Sequence, residues 1–399
     1  MTKKYILFFI CIELFLCSGC SPSWTEVIKK GKIGKQEFYE TVTTQVENGL
    51  IFVPVVIRGK SYKFLFDSGA LFSVSKKLQK SLNFKVITTG NIVDSDNNKT
   101  SVDYVKVDTT YIGKIPFINQ TAFVADFEAN PMLKCLEIDG IIGSNLMRFC
   151  NWEVDYQNNQ ITLINMAHPI KKSNSEIVPF KTDRQYNILV DLKIGEATVK
   201  NMKIDYGSNQ IISFPQNIFN ILKEKAEIKE IYNETGKKRS GIVGKAINLN
   251  REITVLDSLK FQNLTFNNVK VQTGSSALIG KDVLSRMVVT INWKDLTLIM
   301  QPADSVQIDN RTFGFTLGYS DEKNIHVQSV IESSTAFNKG VKPGMQVLQL
   351  DTLSFVKKHT FCDFVDYANQ QRDDVNLELL DDSGTIKEFY FKKEPLSKK

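Results

Sequence analysis

The chain has 399 residues, of which 42% are hydrophobic and 24% charged, and its formal net charge is +6. This length is too great for one ordinary domain and fits two or three, and the composition argues against global disorder. The basic residues are scattered and form no stripe interleaved with aromatic side chains, so the sequence does not support nucleic-acid binding.

Residues 1–19 have the layout of a secretory signal peptide. Lys3 and Lys4 form a positive patch, and the apolar run from Tyr5 to Leu16 is broken only by Glu13. The run is too short to span a bilayer as a stable helix. We therefore expect export of the chain rather than insertion by a transmembrane segment.

The end of this run, Leu16-Cys17-Ser18-Gly19-Cys20, resembles a bacterial lipobox. The resemblance implies that Cys20 is acylated and anchors the mature chain to the cell envelope, on the periplasmic face or at the cell surface. Cys17 stands where a lipobox prefers an aliphatic residue, and the alternative is a plain signal peptide with an incidental cysteine. Residues 20–47 are polar and weakly helical, so we expect a lipid-anchored tether with a short arm.

Three further cysteines are present in the mature chain. Cys135 and Cys150 could pair in an oxidising compartment, or they could be small buried hydrophobic residues. No cluster of Cys and His residues has the spacing of a metal site. We expect neither a metal ion nor another cofactor.

Short apolar runs punctuated by Gly and Asn extend over residues 50–300, which is typical of β-strands and turns. An internal repeat lies within this region. Apolar β residues lead to Asp67-Ser68-Gly69-Ala70 in the first copy and to Asp205-Tyr206-Gly207-Ser208 in the second. Ile142-Gly143 follows the first motif and Ile279-Gly280 the second, and the copies are offset by 137 or 138 positions. Several matches at one offset predict two homologous β lobes.

The strand, the Asp and the tight Gly turn together resemble the aspartic proteases, and among them the retropepsin-like bacterial group. The resemblance covers about Leu50 to Met300. It implies a mainly β fold in which two six-stranded-type lobes, at 48–168 and 169–302, form a pseudo-twofold bilobal barrel. It also implies that Asp67 and Asp205 lie side by side as the catalytic pair of an endopeptidase.

Two adjacent carboxylates cannot both ionise readily, so such a pair shares one proton. The ionised member can take a proton from water while the protonated member donates one to the scissile carbonyl oxygen, which hydrolyses a polypeptide substrate without a covalent intermediate. By the same resemblance, Gly69 and Gly207 permit the tight turns, and the two Ile-Gly segments pack beneath the Asp loops.

This sequence departs from the family pattern after each Asp. In the family, the residue there is usually Thr or Ser, whose hydroxyl hydrogen-bonds across the lobe interface. Ser68 fits this pattern but Tyr206 does not. We therefore expect the pair of reciprocal hydrogen bonds to be lost on one side. Ser208 can hydrogen-bond its carboxylate whereas Ala70 cannot, and the missing bond predicts a pair that works nearer neutral pH than a digestive aspartic protease. The alternatives are a catalytically inactive pseudoprotease that binds peptides, and a structural envelope protein.

Two segments are candidates for flap hairpins over the substrate. Residues 88–104 contain Val93 to Thr100, which has the turn chemistry of a hairpin tip. The matching segment of the second lobe is Asn233 to Ile247.

After a linker, residues 308–395 resemble a small α+β PDZ domain. The resemblance is carried by Thr312-Phe313-Gly314-Phe315 and by Ser333 to Met345, although Met345 stands where Asp is usual. It implies that a peptide adds a strand beside Phe315 while backbone N–H groups around Phe313 and Gly314 hold its C-terminal carboxylate. It also implies a groove helix over Phe361–Ala368. The alternative is a unit that only packs against the protease or regulates it.

Overall fold

The computed structural model describes residues 22–166, 174–225, 227–302, 309–319, 324–356, 360–368, 370 and 372–396. The expected signal peptide and the acylation of Cys20 lie outside this part of the chain. Within it the protein is mainly β, with a sheet that curls into half a barrel. No described helix is both long enough and apolar enough to cross a membrane.

The first unit, residues 22–166, alternates strands with a few short helices. Its strands are β1 (Lys32–Ile33), β2 (Phe38–Thr43), β3 (Gln45–Glu47), β4 (Leu50–Ile57), β5 (Lys60–Phe66), β6 (Ser73–Ser75), β7 (Lys85–Val93), β8 (Lys99–Lys106), β9 (Thr110–Ile112), β10 (Ile115–Ile118), β11 (Thr121–Ala125), β12 (Gly140–Ile142), β13 (Asn151–Asp155) and β14 (Gln160–Asn165). Its helices are α1 (Trp24–Val27), α2 (Lys76–Leu82), α3 (Pro131–Leu136) and α4 (Ser144–Met147), with a 3-10 turn at Phe127–Ala129.

The second unit, residues 174–302, also consists of strands with a few short helices. Its strands are β15 (Glu176–Pro179), β16 (Lys181–Thr182), β17 (Ile188–Ile194), β18 (Ala197–Asp205), β19 (Ile212–Phe214), β20 (Tyr232–Lys238), β21 (Ile247–Phe261), β22 (Leu264–Thr273), β23 (Leu278–Gly280), β24 (Met287–Asn292) and β25 (Thr297–Pro302). Its helices are α5 (Gln216–Glu224) and α6 (Lys281–Leu284).

The C-terminal unit, residues 309–396, has a core of its own built around Val327, Leu377 and Leu379. Its strands are β26 (Arg311–Thr312), β27 (Phe315–Tyr319), β28 (Ile325–Ile331), β29 (Gln346–Leu350), β30 (Leu353–Ser354), β31 (Asp374–Leu380), β32 (Ile386–Lys392) and β33 (Glu394–Pro395). Its helices are α7 (Thr335–Asn338) and α8 (Phe361–Ala368). Met345 is only 4% exposed and packs into this core.

The segment that we expected to be a polar tether is instead largely folded. β1 pairs with β10, β2 with β14 and β3 with β4. Phe38 and Val42 face the main core while Tyr39 is 60% exposed, because alternate residues of a strand point to opposite faces. The expectation is therefore wrong for most of the described part of 20–47, and the alternation over Phe38–Thr43 was its missed signal.

The two units repeat one arrangement of three strands. β12 lies between β5, to which it is parallel, and β6, to which it is antiparallel. β23 lies in the same way between β18 and β19. The two central strands end at the Ile-Gly segments, so that Asp67 N–H donates to Ile142 C=O at 3.0 Å and Asp205 is paired with Gly280.

A six-stranded sheet joins the units, in the order β15-β25-β24-β13-β14-β2. The first unit contributes the hairpin β13–β14 and the outer strand β2, and the second unit contributes the hairpin β24–β25 and the outer strand β15. The first residues of those outer strands, Phe38 and Glu176, are separated by the same number of positions as Asp67 and Asp205. Trp152, on β13 of this sheet, is fully buried, and the main core runs continuously through both units.

A shared sheet and a disulfide are among the connections that attach the C-terminal unit. β20 of the second unit pairs with β28, so one sheet continues from the second unit into the C-terminal unit. A disulfide between Cys135 and Cys362 joins α3 to α8 across a sequence separation of 227 residues. Cys150 is free and buried. A Cys135–Cys150 pair is therefore wrong, and Cys150 fits the alternative of a small buried hydrophobic residue.

Candidate active site

The two Asp loops begin where β5 and β18 end. In the first loop Phe64 and Phe66 are fully buried, which anchors the strand and directs Asp67 into the turn. Gly69 N–H donates to Asp67 Oδ1 at 2.8 Å. In the second loop Gly207 N–H donates to Asp205 Oδ1 at 3.1 Å. The two loops therefore have the same local geometry.

The two loops face each other, and each glycine abuts the carboxylate of the other loop. A Cβ atom added at Gly69 would lie 2.4 Å from Asp205 Oδ2, and one at Gly207 would lie 2.3 Å from Asp67 Cγ. Any side chain at these positions would collide with a carboxylate, so only glycine permits this approach. The structure brings the predicted pair together.

Asp205 is buried and Asp67 is partly buried, and this burial affects the protonation of the pair. Burial and then the negative charge of Asp205 raise the pKa of Asp67 to about 7, against the opposing effects of Lys203 and the Gly69 N–H. Because one carboxyl group of the pair keeps its proton into the neutral range, the site holds both a proton donor and a proton acceptor.

Ser68 makes the expected contact across the interface between the loops. Its fully buried hydroxyl donates to Ile204 C=O at 2.7 Å and accepts from Tyr206 N–H at 3.2 Å. The first loop therefore holds the second through one side chain.

Tyr206 makes no reciprocal contact of this kind. Its ring is fully buried, lying edge-on to Phe66 at 5.5 Å and stacked on Tyr156 at 6.3 Å between centroids. Its hydroxyl has no hydrogen-bond partner among the described residues, and burial raises the pKa of the phenol. Tyr206 is thus a core residue behind the loops and does not fill the space between the carboxylates.

The residues after the two glycines differ from our expectation. Ser208 Oγ accepts from Gln210 N–H at 3.2 Å, and a hydrogen bond from Ser208 to Asp205 is not formed in the described structure. Ala70 C=O accepts from Ser144 N–H at 2.8 Å. The raised pKa of Asp67 is therefore explained by burial and by the charge of Asp205, and not by a hydroxyl missing at position 70.

Gly143 and Gly280 permit close packing beneath the loops. A Cβ at Gly143 would lie 2.2 Å from the Leu71 carbonyl carbon, and one at Gly280 would lie 1.8 Å from Gln210 O. Backbone therefore passes directly over backbone at both positions, as the repeat predicts.

Lys203 is a residue of this site that sequence reasoning missed. Its Nζ lies 3.5 Å from Asp205 Oδ2 and donates to Gly69 C=O at 3.3 Å. The available signal was its position two residues before Asp205 on a strand, which places both side chains on one face. The first copy has Leu65 at this position.

Hairpins occupy both segments predicted to be flaps. β7 and β8 pair across the tip 94–98, and β20 and β21 pair across the tip 239–246.

The two tips bind each other through what we call the hairpin contact, formed by Asp94 and Asp96 with residues 238–243. Asp96 is 4% exposed, accepts from the N–H groups of Ser240 and Gly241 at 2.7 Å each, and pairs with Lys238 Nζ at 2.8 Å. Asp94 accepts from Val243 N–H at 3.1 Å. Burial by itself would raise the pKa of Asp96, but Lys238 and the donors of the second tip hold it below its ordinary value.

The predicted peptide-binding residues of the C-terminal unit lie at the start of β27. Phe315 is buried, and Phe313 stacks on it at 5.8 Å. Gly314 has a φ of +80°, and its N–H donates to Thr312 Oγ1 at 3.1 Å, so this donor is already engaged. β27 pairs with β28 and with no other described strand, which leaves its outer edge open in this part of the chain.

No group of three or more His, Cys, Asp or Glu residues within the described ranges could hold a metal ion. A model of the aspartyl protease family matches residues 53–146, which include the Asp67 loop and Gly143. The match supports an aspartic protease family for the first unit. No curated protein matches the chain.

Proposed function

We propose that this chain is an aspartic-type endopeptidase in which Asp67 and Asp205 together activate one water molecule. The observation that carries the proposal is the mutual approach of the two loops, in which each glycine abuts the other carboxylate. Two acids brought this close from duplicated motifs form a pair that shares one proton. The aspartyl protease match over residues 53–146 supports the same activity for the first unit.

Hydrolysis by this pair needs no further group. Asp205, ionised beside Lys203, takes a proton from the water as the oxygen attacks the scissile carbonyl carbon. Asp67 donates its proton to the carbonyl oxygen. The C–N bond of the resulting tetrahedral intermediate then breaks. The amine leaves with the proton that Asp205 accepted, and one hydroxyl group of the intermediate returns a proton to Asp67 as the C=O bond re-forms.

The position of Tyr206 is compatible with this chemistry, because its ring packs behind the loops while Ser68 bridges them. The alternative of an inactive peptide-binding protein is favoured by one observation, which is that Lys203 pairs with a carboxylate of the site. The two functions differ in whether a bound peptide is cut.

We further propose that the two units are lobes related by a pseudo-twofold axis. Support comes from the repeated strand triplet and from the six-stranded sheet to which each unit contributes three strands. The hairpins β7–β8 and β20–β21 would act as flaps that part when substrate enters.

For the C-terminal unit we propose a PDZ-like arrangement that binds peptide or protein ends along the open edge of β27. The α8 helix at Phe361–Ala368 occupies the segment of the expected groove helix. Because Gly314 N–H is engaged by Thr312, binding of a carboxylate at that donor requires a change in the loop before β27.

Anchoring through Cys20 and a location in the cell envelope remain proposals from the sequence. The Cys135–Cys362 disulfide supports an oxidising compartment, because disulfides persist outside the reducing cytosol.

The test is cleavage of a mixed peptide library by the detergent-solubilised full chain. Asp67→Asn and Asp205→Asn should each lower kcat/KM by at least ~10²-fold, because general acid-base catalysis contributes ~10²–10⁴-fold. Glu224→Gln, which removes an exposed carboxylate of α5, is the matched control and should cleave like the wild type. Cleavage that persists in both Asp variants contradicts the proposal, and binding of peptides without cleavage by the wild type supports the inactive alternative.

A further inference from the structure

The two halves of the candidate site differ in one charged residue. Lys203 and Asp205 lie two positions apart on β18, whereas Leu65 lies on β5 and Asp67 directly follows the last residue of that strand. Alternation along a strand directs each such pair to one face. The second half therefore carries an ammonium group where the first carries a hydrophobic side chain.

The ammonium group reaches both loops. Lys203 Nζ is 3.5 Å from Asp205 Oδ2 and 3.3 Å from Gly69 O. Its side chain is 24% exposed, so water screens the charge only partly. The two carboxylates share two contacts: each accepts from the glycine two positions later, and each faces the glycine of the other loop.

Other titratable groups also pack against these loops. Tyr206 and Tyr156 stay neutral in the physiological range because burial raises the pKa of both phenols. Lys281 N–H donates to Ser208 C=O, and the Lys281 ammonium lies 3.0 Å from Asp282 Oδ1, which offsets its charge. Among the described groups packed here, Lys203 is the cation that contacts the pair itself.

We infer that Lys203 is a positioning residue that makes Asp205 the ionised, water-activating member of the pair and leaves the shared proton on Asp67. This inference rests on the proposed function. A cation favours the ionised form of the carboxylate that it touches, and the effect falls with distance. Lys203 thereby gives the two carboxyl groups different roles although their loops are built alike.

Lys203 should also change the pH dependence of the pair. A cation next to the pair favours loss of protons, so Lys203 lowers the pH at which the pair loses its first and its second proton. The singly protonated form, which is the active one, is therefore shifted to lower pH. Without the cation, the lower and the upper pH limits between which the pair is singly protonated should both rise.

The test compares three variants by the pH dependence of kcat/KM. Lys203→Leu introduces the residue type of the first copy, Lys203→Gln is a polar neutral replacement, and Lys203→Arg keeps the charge. In the two neutral variants, both limbs of the pH profile should move up by about 1 pH unit. This is the lower end of the pKa shift that one opposite charge causes at a distance of a few ångströms. The limbs should stay in place in Lys203→Arg.

A lower kcat with unmoved limbs in both neutral variants would overturn the inference, since it would mark Lys203 as a structural residue. Circular dichroism and thermal unfolding establish that each variant is folded, and the Gln variant serves if the Leu variant is not.

A second measurement does not depend on cleavage. Carboxyl carbon-13 NMR titration, with resonances assigned through Asp67→Asn and Asp205→Asn, should show Asp205 ionising at lower pH than Asp67. The order should weaken or disappear in Lys203→Gln. If the titration shows this order but no peptide is cut, the charge assignment stands and the proposed function fails. If peptides are cut but neither the titration nor the pH limbs respond to Lys203, the inference alone fails.

Discussion

Tyr206 shows how a residue that breaks a motif can leave the site intact. Its ring fills space among Phe66, Tyr156 and the main core, and its backbone N–H still donates to Ser68. The sequence position predicts a missing hydroxyl contact, and the structure agrees. It also shows that the large ring lies behind the loops, which the motif could not indicate.

The Tyr206 hydroxyl should destabilise the folded protein. It is buried without a partner among the described residues, and a buried unsatisfied hydroxyl is destabilising. We expect Tyr206→Phe to raise the free energy of unfolding by ~1 kcal/mol and to leave kcat/KM unchanged.

Tyr206→Thr is the matched comparison. It restores a hydroxyl of the family type but empties the volume of a fully buried ring, which costs ~3–5 kcal/mol for large-to-small core substitutions. Urea unfolding followed by fluorescence measures both changes. A clear loss of stability in Tyr206→Phe would mean that the hydroxyl is hydrogen-bonded after all.

At the scale of elements, the hairpin contact joins two segments that are far apart in the chain. The Asp96 carboxylate accepts two backbone N–H groups and an ammonium group of the second hairpin while almost fully buried. Charge-assisted bonds of this kind are stronger than neutral ones, and loss of the charge leaves the donors poorly satisfied.

We therefore expect Asp96→Asn to open the two tips more often. Amide hydrogen exchange in peptides covering 94–98 and 239–246 should accelerate about tenfold, as expected for a local loss of ~1.4 kcal/mol. Asp103→Asn, an exposed carboxylate of the same hairpin, is the control and should exchange like the wild type. Equal exchange in Asp96→Asn and wild type would show that other contacts hold the tips.

At the scale of the whole molecule, several connections tie the C-terminal unit to the rest. Among them are the β20–β28 pairing, the Cys135–Cys362 disulfide, and the 2% exposed carboxylate of Glu234. Glu234 pairs with Arg251 Nε at 2.6 Å and accepts the hydroxyl of Ser329 on β28. The buried charge is thus satisfied from both units at once, which favours one relative placement of them.

The disulfide should contribute measurably to stability. Because it closes a loop of 227 residues, the paired variant Cys135→Ser/Cys362→Ser should lose ~2–4 kcal/mol of unfolding free energy. Reductant should lower the thermal midpoint of the wild type but not that of the paired variant. Cys150 forms no disulfide, so the control variant Cys150→Ala should respond to reductant like the wild type. A wild-type midpoint that does not respond to complete reduction contradicts this expectation.

The features that the sequence predicted are those encoded by neighbours along the chain. The Asp turns, the Ile-Gly segments, the hairpin at 94–98 and the helix Phe361–Ala368 each depend on propensities and alternation within a few residues. The repeat added one long-range expectation, the meeting of Asp67 with Asp205, because two copies of one loop imply a common interface.

Only the tertiary structure decided which distant groups touch. Nothing in the local pattern assigns Cys362 as the partner of Cys135, turns the Tyr206 ring into the core, or pairs β2 with β14. Such contacts depend on how separately formed elements pack, and packing is set by shape and burial over the whole molecule rather than by any short stretch of residues.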